Sequence, residues 1–274
     1  MAIDVHGVAA DVAAEQHALD AVVAPLSDDQ WRLRTPAVPW TIADQIGHLT
    51  YFDGVAATAV VAPADFAGAR DALYAAALDR PGAADELTLG PSRAMAPPAV
   101  LAAWRANRGR LAEAAATLTD ATRIEWYGPS MGAKSFLTAR LMEVWAHGQD
   151  IVDALTEAGV SVHREPTDRL RHIAQLGVIT RGWSYVNRRM EVPAGEVRVE
   201  LTAPSGVAWN WGADDADDSV RGPAEDFCLV VTQRRHPHDT RLVVSGEVAA
   251  DWLVHAQAFA GGPTEGPAAT TTPA

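Results

Sequence analysis

The sequence predicts an α+β protein, with an up-and-down helical bundle followed by a small α+β domain. Apolar residues recur every three to four positions through most of residues 1–188, which is the spacing of amphipathic helices packed in a bundle. After Met190 the pattern changes to alternation in VRVELTAP and VAWNW, which is typical of strands. We therefore expect domains at 1–188 and 190–260, followed by a disordered tail at 261–274 that is rich in Gly, Pro and Thr.

Six helices are expected in the first domain, of which about four form the core. They cover residues 5–26, 41–61, 64–78, 99–118, 136–155 and 167–188. Thr41 offers an N-cap for the second helix, with Asp44 three residues on as an acidic variant of the capping box, and Pro63 can open the third. Residues 79–98, with four prolines and two glycines, are predicted to be mostly loop, and 122–135 an exposed connection.

The second domain is expected to be a sheet with one packed helix. The strands are predicted in VRVELTAP, VAWNW, FCLVVTQRR and TRLVVSG, and ADDADDSVRGPAED is predicted to be a charged turn. The closing helix is expected over residues 247–260, where Trp252, Leu253 and Phe259 recur at helical spacing.

The acidic composition excludes two classes of partner. The formal net charge is −13, whereas phosphate binding needs a basic face, so we expect no nucleic-acid partner. Binding to an anionic membrane surface is disfavoured for the same reason. The expected partner is a small-molecule substrate, and the expected assembly is a monomer or a homodimer.

Cysteine content and hydropathy indicate a cytoplasmic location. Cys228 is the only cysteine, so no internal disulfide can form and nothing implies secretion. The first 25 residues carry acidic residues among their apolar positions and do not resemble a signal peptide. No run approaches 18 apolar residues, so no membrane span is expected.

Three residues form a candidate metal site. Glu143 and His147 are four apart in a predicted helix, so both point to the same face. His48 lies in the middle of another predicted helix. If the two helices pack face to face, two imidazoles and one carboxylate converge, which is the ligand number of a catalytic metal site with open positions. The alternative is a solvated Glu–His pair, which any helix of this composition can produce.

Three further residues are candidates for supporting roles. Asp150 and Arg140 flank the Glu143–His147 pair on the helix and could orient the ligands, or both could form surface ion pairs. Arg181 could bind a substrate carboxylate with both of its terminal nitrogens, although an interdomain salt bridge is the alternative. We count Asp150 and Arg181 as the candidate catalytic residues.

Two segments carry a resemblance to a known family. PWTIADQIGHL and, about ninety residues later, RLMEVWAHGQDI resemble the mycothiol-dependent maleylpyruvate isomerase family, which belongs to the DinB-like group of metal-binding helical bundles. The resemblance covers residues 1 to about 160, and RGWSYVNR with GPAEDFCLVVTQRR marks an uncharacterised branch. It implies that His48, Glu143 and His147 bind one divalent metal, with zinc as the expected ion and iron or nickel as alternatives.

The same resemblance implies a reaction with mycothiol as the co-substrate. The metal holds the thiol of mycothiol for attack on an electrophilic carbon of the substrate. The first hypothesis is therefore a thiol-dependent transferase or isomerase that acts on a small metabolite. The second keeps the metal and uses water, for hydrolase or lyase chemistry, and the third is a non-enzymatic, metal-dependent ligand binder. Cys228 is expected to be a buried hydrophobe rather than the reacting thiol.

Overall fold

A computed structural model describes residues 3–270, which form two compact units that divide between Arg164 and Glu165. The helical first unit and the sheet-containing second unit confirm the predicted α+β class. The division lies earlier in the chain than the boundary expected at residue 188. The reason is that the helices between 165 and 188 pack on elements of the second unit.

The first unit contains seven helices and one hairpin. They are α1 Val5–Val23, α2 Asp28–Trp31, α3 Ile42–Val61, α4 Pro63–Asp79, α5 Ala83–Arg93, α6 Pro97–Ala115, β1 Arg123–Trp126, β2 Gly128–Gly132 and α7 Ala133–Glu157. Four of them, α1, α3, α6 and α7, form the core, and each contributes fully buried aliphatic or aromatic side chains. The predicted bundle of about four core helices is therefore present.

The start of α3 follows the predicted capping box. The Thr41 side chain accepts a hydrogen bond from the backbone N–H of Asp44, and the Asp44 carboxylate accepts one from the backbone N–H of Thr41. These two bonds satisfy backbone donors that the first helical turn leaves without partners. They fix the start of α3 about two turns before His48.

Two segments of the first unit that were expected to be irregular are regular. Residues 79–98 contain α5, because Leu89 is fully buried against α3. Pro91 lies in the last turn of α5, C-terminal to the buried residues. Residues 122–135 contain the β1–β2 hairpin, in which Ile124 and Trp126 alternate into the core. In both cases burial against neighbouring helices outweighs a composition that is typical of loops.

The second unit is built on a four-stranded sheet. Its elements are α8 Leu170–Ile179, α9 Arg181–Val186, β3 Val197–Thr202, β4 Ala208–Trp211, β5 Asp218–Pro223, α10 Ala224–Val231, β6 Val243–Ser245 and α11 Glu247–His255. The strand order is β4-β3-β5-β6, with β3 and β5 parallel and the other neighbours antiparallel. The single helix predicted over 167–188 is divided in two at Thr180.

Two elements predicted in the second unit have a different structure, and the closing helix ends at His255 and not at residue 260. FCLVVTQRR is not a strand, because its apolar part lies in α10, where Phe227, Cys228 and Val231 are buried at helical spacing. A short apolar run fits a buried helix as well as a buried strand, and the sequence pattern does not separate them. The charged turn is also not a turn throughout, since its second half forms β5.

The C-terminal segment makes specific contacts where disorder was expected. Asn187 donates to the Gly261 carbonyl, and the backbone N–H of Thr270 donates to Asp239 at 2.8 Å. Residues 271–274 of the predicted tail lie outside the described residues. Along 3–270, no helix is both long and apolar enough to cross a membrane.

Candidate metal centre

The three predicted ligands come together where α3 contacts α7. His48 projects from the middle of α3, and Glu143 and His147 project from successive turns of α7. The Nε2 atoms of His48 and His147 each lie 3.1 Å from Oε2 of Glu143. The side chains are 15%, 12% and 24% exposed for His48, His147 and Glu143. The site is therefore enclosed on most sides and open at the carboxylate.

The donor set and its spacing fit a divalent cation. One ligand atom from each residue can be chosen so that all three lie within 4.8 Å of one another. A tetrahedral ion with bonds of about 2.0–2.1 Å keeps its ligand atoms about 3.3 Å apart, which is close to the two observed Nε2–Oε2 distances. Two imidazoles and one carboxylate suit zinc and also iron.

At neutral pH, His48 and Glu143 have the protonation states that metal binding requires. Burial lowers the pKa of His48 to about 4, the neighbouring His147 ring adds to this effect, and the contact with Glu143 opposes it. Burial raises the pKa of Glu143, but its contacts with the two imidazoles outweigh burial and hold that pKa well below its usual range. His48 therefore has a free lone pair and Glu143 a full negative charge, as metal ligands need.

Aromatic rings enclose the two imidazoles. The Trp40 ring lies 5.1 Å from the His48 ring and 5.9 Å from the His147 ring, and the Phe52 ring lies 4.5 Å from His48. Trp40 is fixed by a 2.9 Å hydrogen bond from its Nε1 to the Asp85 carboxylate on α5. These rings limit the orientations that the histidines can take.

A buried polar network lies behind His147. Gln45 Oε1 is 2.5 Å from His147 Nδ1, and Gln45 Nε2 donates to Thr35 Oγ1 at 2.8 Å and to Asp150 Oδ2 at 3.4 Å. Asp150 is buried, and its nearer carboxylate oxygen lies 3.9 Å from His147 Nδ1. Sequence reasoning missed Gln45, although its spacing of three residues from His48 puts both on one face of α3. A catalytic role for Asp150 stays a prediction.

Arg140 forms a buried ion pair with Asp53, whereas the sequence suggested that it orients the metal ligands or forms a surface ion pair. Its guanidinium donates two hydrogen bonds to Asp53 at 3.2 and 2.9 Å, and both side chains are buried. Asp53 also accepts from Gln16 and Trp104. The Arg140 guanidinium carbon lies 6.0 Å from the Phe52 ring, which in turn packs on His48. Arg140 therefore approaches His48 through Phe52, and its positive charge also helps to lower the pKa of His48.

Arg181 lies in the second unit, at the start of α9. Its terminal nitrogens donate to the carbonyls of Gly195 and Pro193 at 2.9 and 3.0 Å, so the guanidinium braces the loop before β3. This arrangement differs from the interdomain salt bridge that was the alternative interpretation. A substrate-binding role of Arg181 stays a prediction.

Helix α5, which the sequence did not predict, supports the α3 face that carries His48. Arg93 pairs with the capping residue Asp44 at 2.7 Å, and Ser92 with Leu89 packs against Gly47, the residue before His48. A Cβ atom on Gly47 would overlap Ser92 Oγ and lie 3.0 Å from Ser92 Cβ. The absence of a side chain at Gly47 is therefore what allows the two helices to approach so closely.

Comparison with known proteins identifies relatives along both units. Residues 12–152 match the family described as the mycothiol maleylpyruvate isomerase N-terminal domain, and residues 193–245 match a family described as wyosine base formation. An uncharacterised protein of Mycobacterium tuberculosis strain CDC 1551 is 47% identical over 257 residues, covering 94% of this chain and 96% of that protein. An uncharacterised protein from a second strain of that species gives the same figures.

Solved structures show the same fold. The crystal structure of the mycothiol-dependent maleylpyruvate isomerase has a TM-score of 0.56 and 14% identity, with 90% of this chain and 95% of that chain covered. A histidine-to-alanine mutant of that enzyme has a TM-score of 0.54 and 14% identity, with 85% and 90% covered. At this identity the structural likeness shows the fold alone, and the family match adds the sequence relationship over more than half of the chain. The chain therefore belongs to the mycothiol maleylpyruvate isomerase N-terminal domain family.

Proposed function

We propose that this protein is a divalent-metal-dependent enzyme that acts on a small electrophilic metabolite with a low-molecular-weight thiol of the mycothiol type as co-substrate. The observation that carries the proposal is the convergence of His48, Glu143 and His147, with ligand atoms within 4.8 Å of one another. The mycothiol part rests on the family to which residues 12–152 belong. The reaction class proposed is transfer or isomerisation.

Each ligand has a distinct task in this proposal. His48 and His147 would hold the ion through Nε2, and Glu143 would add a negative charge that partly neutralises it. A divalent ion, with zinc as the proposed species, would supply Lewis acidity that lowers the pKa of a coordinated thiol or water. Three protein ligands would leave open positions, and the partly exposed Glu143 side chain supports an opening at the carboxylate.

An external thiol is required because the chain does not offer a suitable one. Cys228 is fully buried in α10, and its Sγ donates to the Leu170 carbonyl at 3.5 Å. Burial raises the pKa of the Cys228 thiol well above its ordinary value, which disfavours the thiolate that a nucleophile needs. The reacting sulfur would therefore enter with the co-substrate and attack an electrophilic carbon of the metabolite.

Metal analysis tests the proposed ligands. We expect about one divalent ion per chain in the purified protein, and loss of most of it in His48→Ala, Glu143→Ala and His147→Ala, because each removes one of three ligands. Glu143→Gln, which keeps the shape and removes the charge, should weaken binding as well. The matched control is His6→Ala, on the exposed side of α1, which should retain the metal. Full metal content in all three ligand variants would refute the site.

A thiol titration tests the co-substrate. Cobalt(II) substituted into the site gives a visible spectrum, and coordination of sulfur should add a charge-transfer band when mycothiol is added. The band should be absent in Glu143→Ala, which cannot hold the cobalt. An unchanged spectrum with mycothiol and with simpler thiols would reject the thiol mechanism. Metal-dependent turnover without thiol would then support hydrolase or lyase chemistry, and tight ligand binding without turnover would support a binding protein.

A further inference from the structure

The buried side chains behind the metal centre form a connected set of hydrogen-bond donors and acceptors. Thr35 has one hydroxyl proton, and its Oγ1 donates it to the Trp40 carbonyl at 3.1 Å. A carbonyl oxygen only accepts, so the hydroxyl is the donor in this contact. While it donates to Trp40, Thr35 Oγ1 accepts from the Gln45 side chain 2.8 Å away. The atom of Gln45 that faces Thr35 is consequently the amide nitrogen.

Asp150 fixes the Gln45 amide in the same orientation. The second proton of Gln45 Nε2 points to Asp150 Oδ2, which accepts it at 3.4 Å. Gln45, Thr35 and Asp150 are all buried, so water does not offer substitute partners. A flipped amide would direct its oxygen at the Asp150 oxygen and would require the Thr35 hydroxyl to turn away from the Trp40 carbonyl. In the observed network Gln45 Oε1 therefore points toward His147.

From this geometry we propose that Gln45 is a positioning residue that keeps the proton of neutral His147 on Nδ1 and so presents the Nε2 lone pair to the metal. Gln45 Oε1 lies 2.5 Å from His147 Nδ1, and an amide oxygen can only accept, so Nδ1 must be the donor. A neutral imidazole has one N–H, which leaves Nε2 as the coordinating atom. The inference deepens the proposed function and rests on it for its catalytic meaning.

The contact on the other side of the ring shows what this tautomer needs from the metal. His147 Nε2 lies 3.1 Å from Glu143 Oε2. With the proton on Nδ1, a nitrogen lone pair and a carboxylate oxygen face each other, and this arrangement is repulsive unless a cation lies between them. A metal ion satisfies both atoms at once. The Trp40–Thr35–Gln45 chain thus prepares one ligand for the metal before the metal binds.

The tautomer can be read without any metal. In metal-free, 15N-labelled protein, long-range 1H–15N spectra recorded at rising pH until the ring carries one proton should show Nδ1 of His147 protonated and Nε2 unprotonated. In Gln45→Leu the Nδ1 preference should be lost, and metal affinity should fall by about 10- to 100-fold.

Controls separate this role from a general packing effect. Gln149→Leu makes the same chemical change on α7, where Gln149 contacts Asp153 and Arg164, and it should leave the tautomer and the affinity unchanged. If Gln45→Leu does not fold, Thr35→Val removes one of the two acceptors that orient the amide and should give a mixture of tautomers. An Nε2–H tautomer in the wild-type protein, or an unchanged spectrum in Gln45→Leu and Thr35→Val, overturns the proposal. Failure of metal binding in a wild-type protein with the expected tautomer would instead count against the metal site.

Discussion

At the scale of single residues, the centre depends on burial to keep an imidazole uncharged. His48 is packed between the rings of Trp40 and Phe52 and contacts the His147 ring, whose centroid lies 4.3 Å away. These neighbours exclude water, and the loss of hydration destabilises the charged imidazolium more than the neutral imidazole. The result is a ligand that does not have to lose a proton before it binds a metal at neutral pH.

The lowered pKa of His48 gives a prediction for the stability of the metal-free protein. The pKa is about 4 in the folded chain and about 6.5 in an unfolded one. Between these values the unfolded state binds more protons, so the unfolding free energy should fall as the pH is lowered from 6.5 toward 4. The expected loss from this one group is on the order of 3 kcal/mol. Urea unfolding in the presence of a chelator at several pH values measures it.

Two variants show whether His48 causes this pH dependence. His48→Gln cannot take up the proton and should flatten the curve between pH 6.5 and 4. His6→Gln, at an exposed position of α1, should leave the curve as in the wild-type protein. A wild-type stability that stays constant across this range would contradict the assigned pKa.

At the scale of elements, α5 determines how firmly α3 holds its ligand. It reaches the ligand-bearing face at three points, through Asp85 to Trp40, through Arg93 to Asp44, and through Ser92 to Gly47. The first contact orients a ring against both histidines, and the second secures the cap of α3. We infer that α5 belongs to the supporting structure of the centre.

Gly47→Ala should test the close approach of α3 and α5. The added Cβ would overlap Ser92 Oγ, so we expect destabilisation of about 1–3 kcal/mol from overpacking together with weaker metal binding. Unfolding in urea and metal affinity would be measured on the same samples. Gly109→Ala is the matched control, because nothing lies within 4 Å of its added Cβ on α6, and it should stabilise the protein by up to about 1 kcal/mol.

Relief of the overlap completes this test. Removing the hydroxyl in Gly47→Ala/Ser92→Ala should recover part of the lost stability and affinity, since the nearest overlapping atom is gone. If Gly47→Ala matches Gly109→Ala in both measurements, α5 does not press on α3 as the structure indicates.

At the scale of the whole molecule, the candidate ligands all lie in the first unit. The family match at residues 12–152 also lies entirely within it. The second unit has its own sheet and its own buried core, which includes Phe227 and Trp252. Metal binding as proposed therefore needs no residue after Arg164.

The sequence by itself determined the class of the fold, most of the helices of the first unit and the three candidate ligands. These follow from local information, since helical periodicity, the Thr41–Asp44 cap and the four-residue spacing of Glu143 and His147 all act within a few residues. His48 was chosen on the condition that its helix packs against the helix of Glu143 and His147, and the resemblance of two distant segments supported that choice. The spacing of the ligands and the resemblance together made a metal centre a definite hypothesis.

Only the tertiary structure decided features that depend on burial or on distant partners. Helix α5 exists because Leu89 is buried against α3, and FCLVVTQRR is helical because its apolar residues are covered on one face, whereas an apolar run is compatible with either structure. The orientation of Gln45 depends on Thr35 and on Asp150, which is 105 residues away. No local pattern carries such information, because hydrogen-bond direction is set by which acceptors the fold brings within reach.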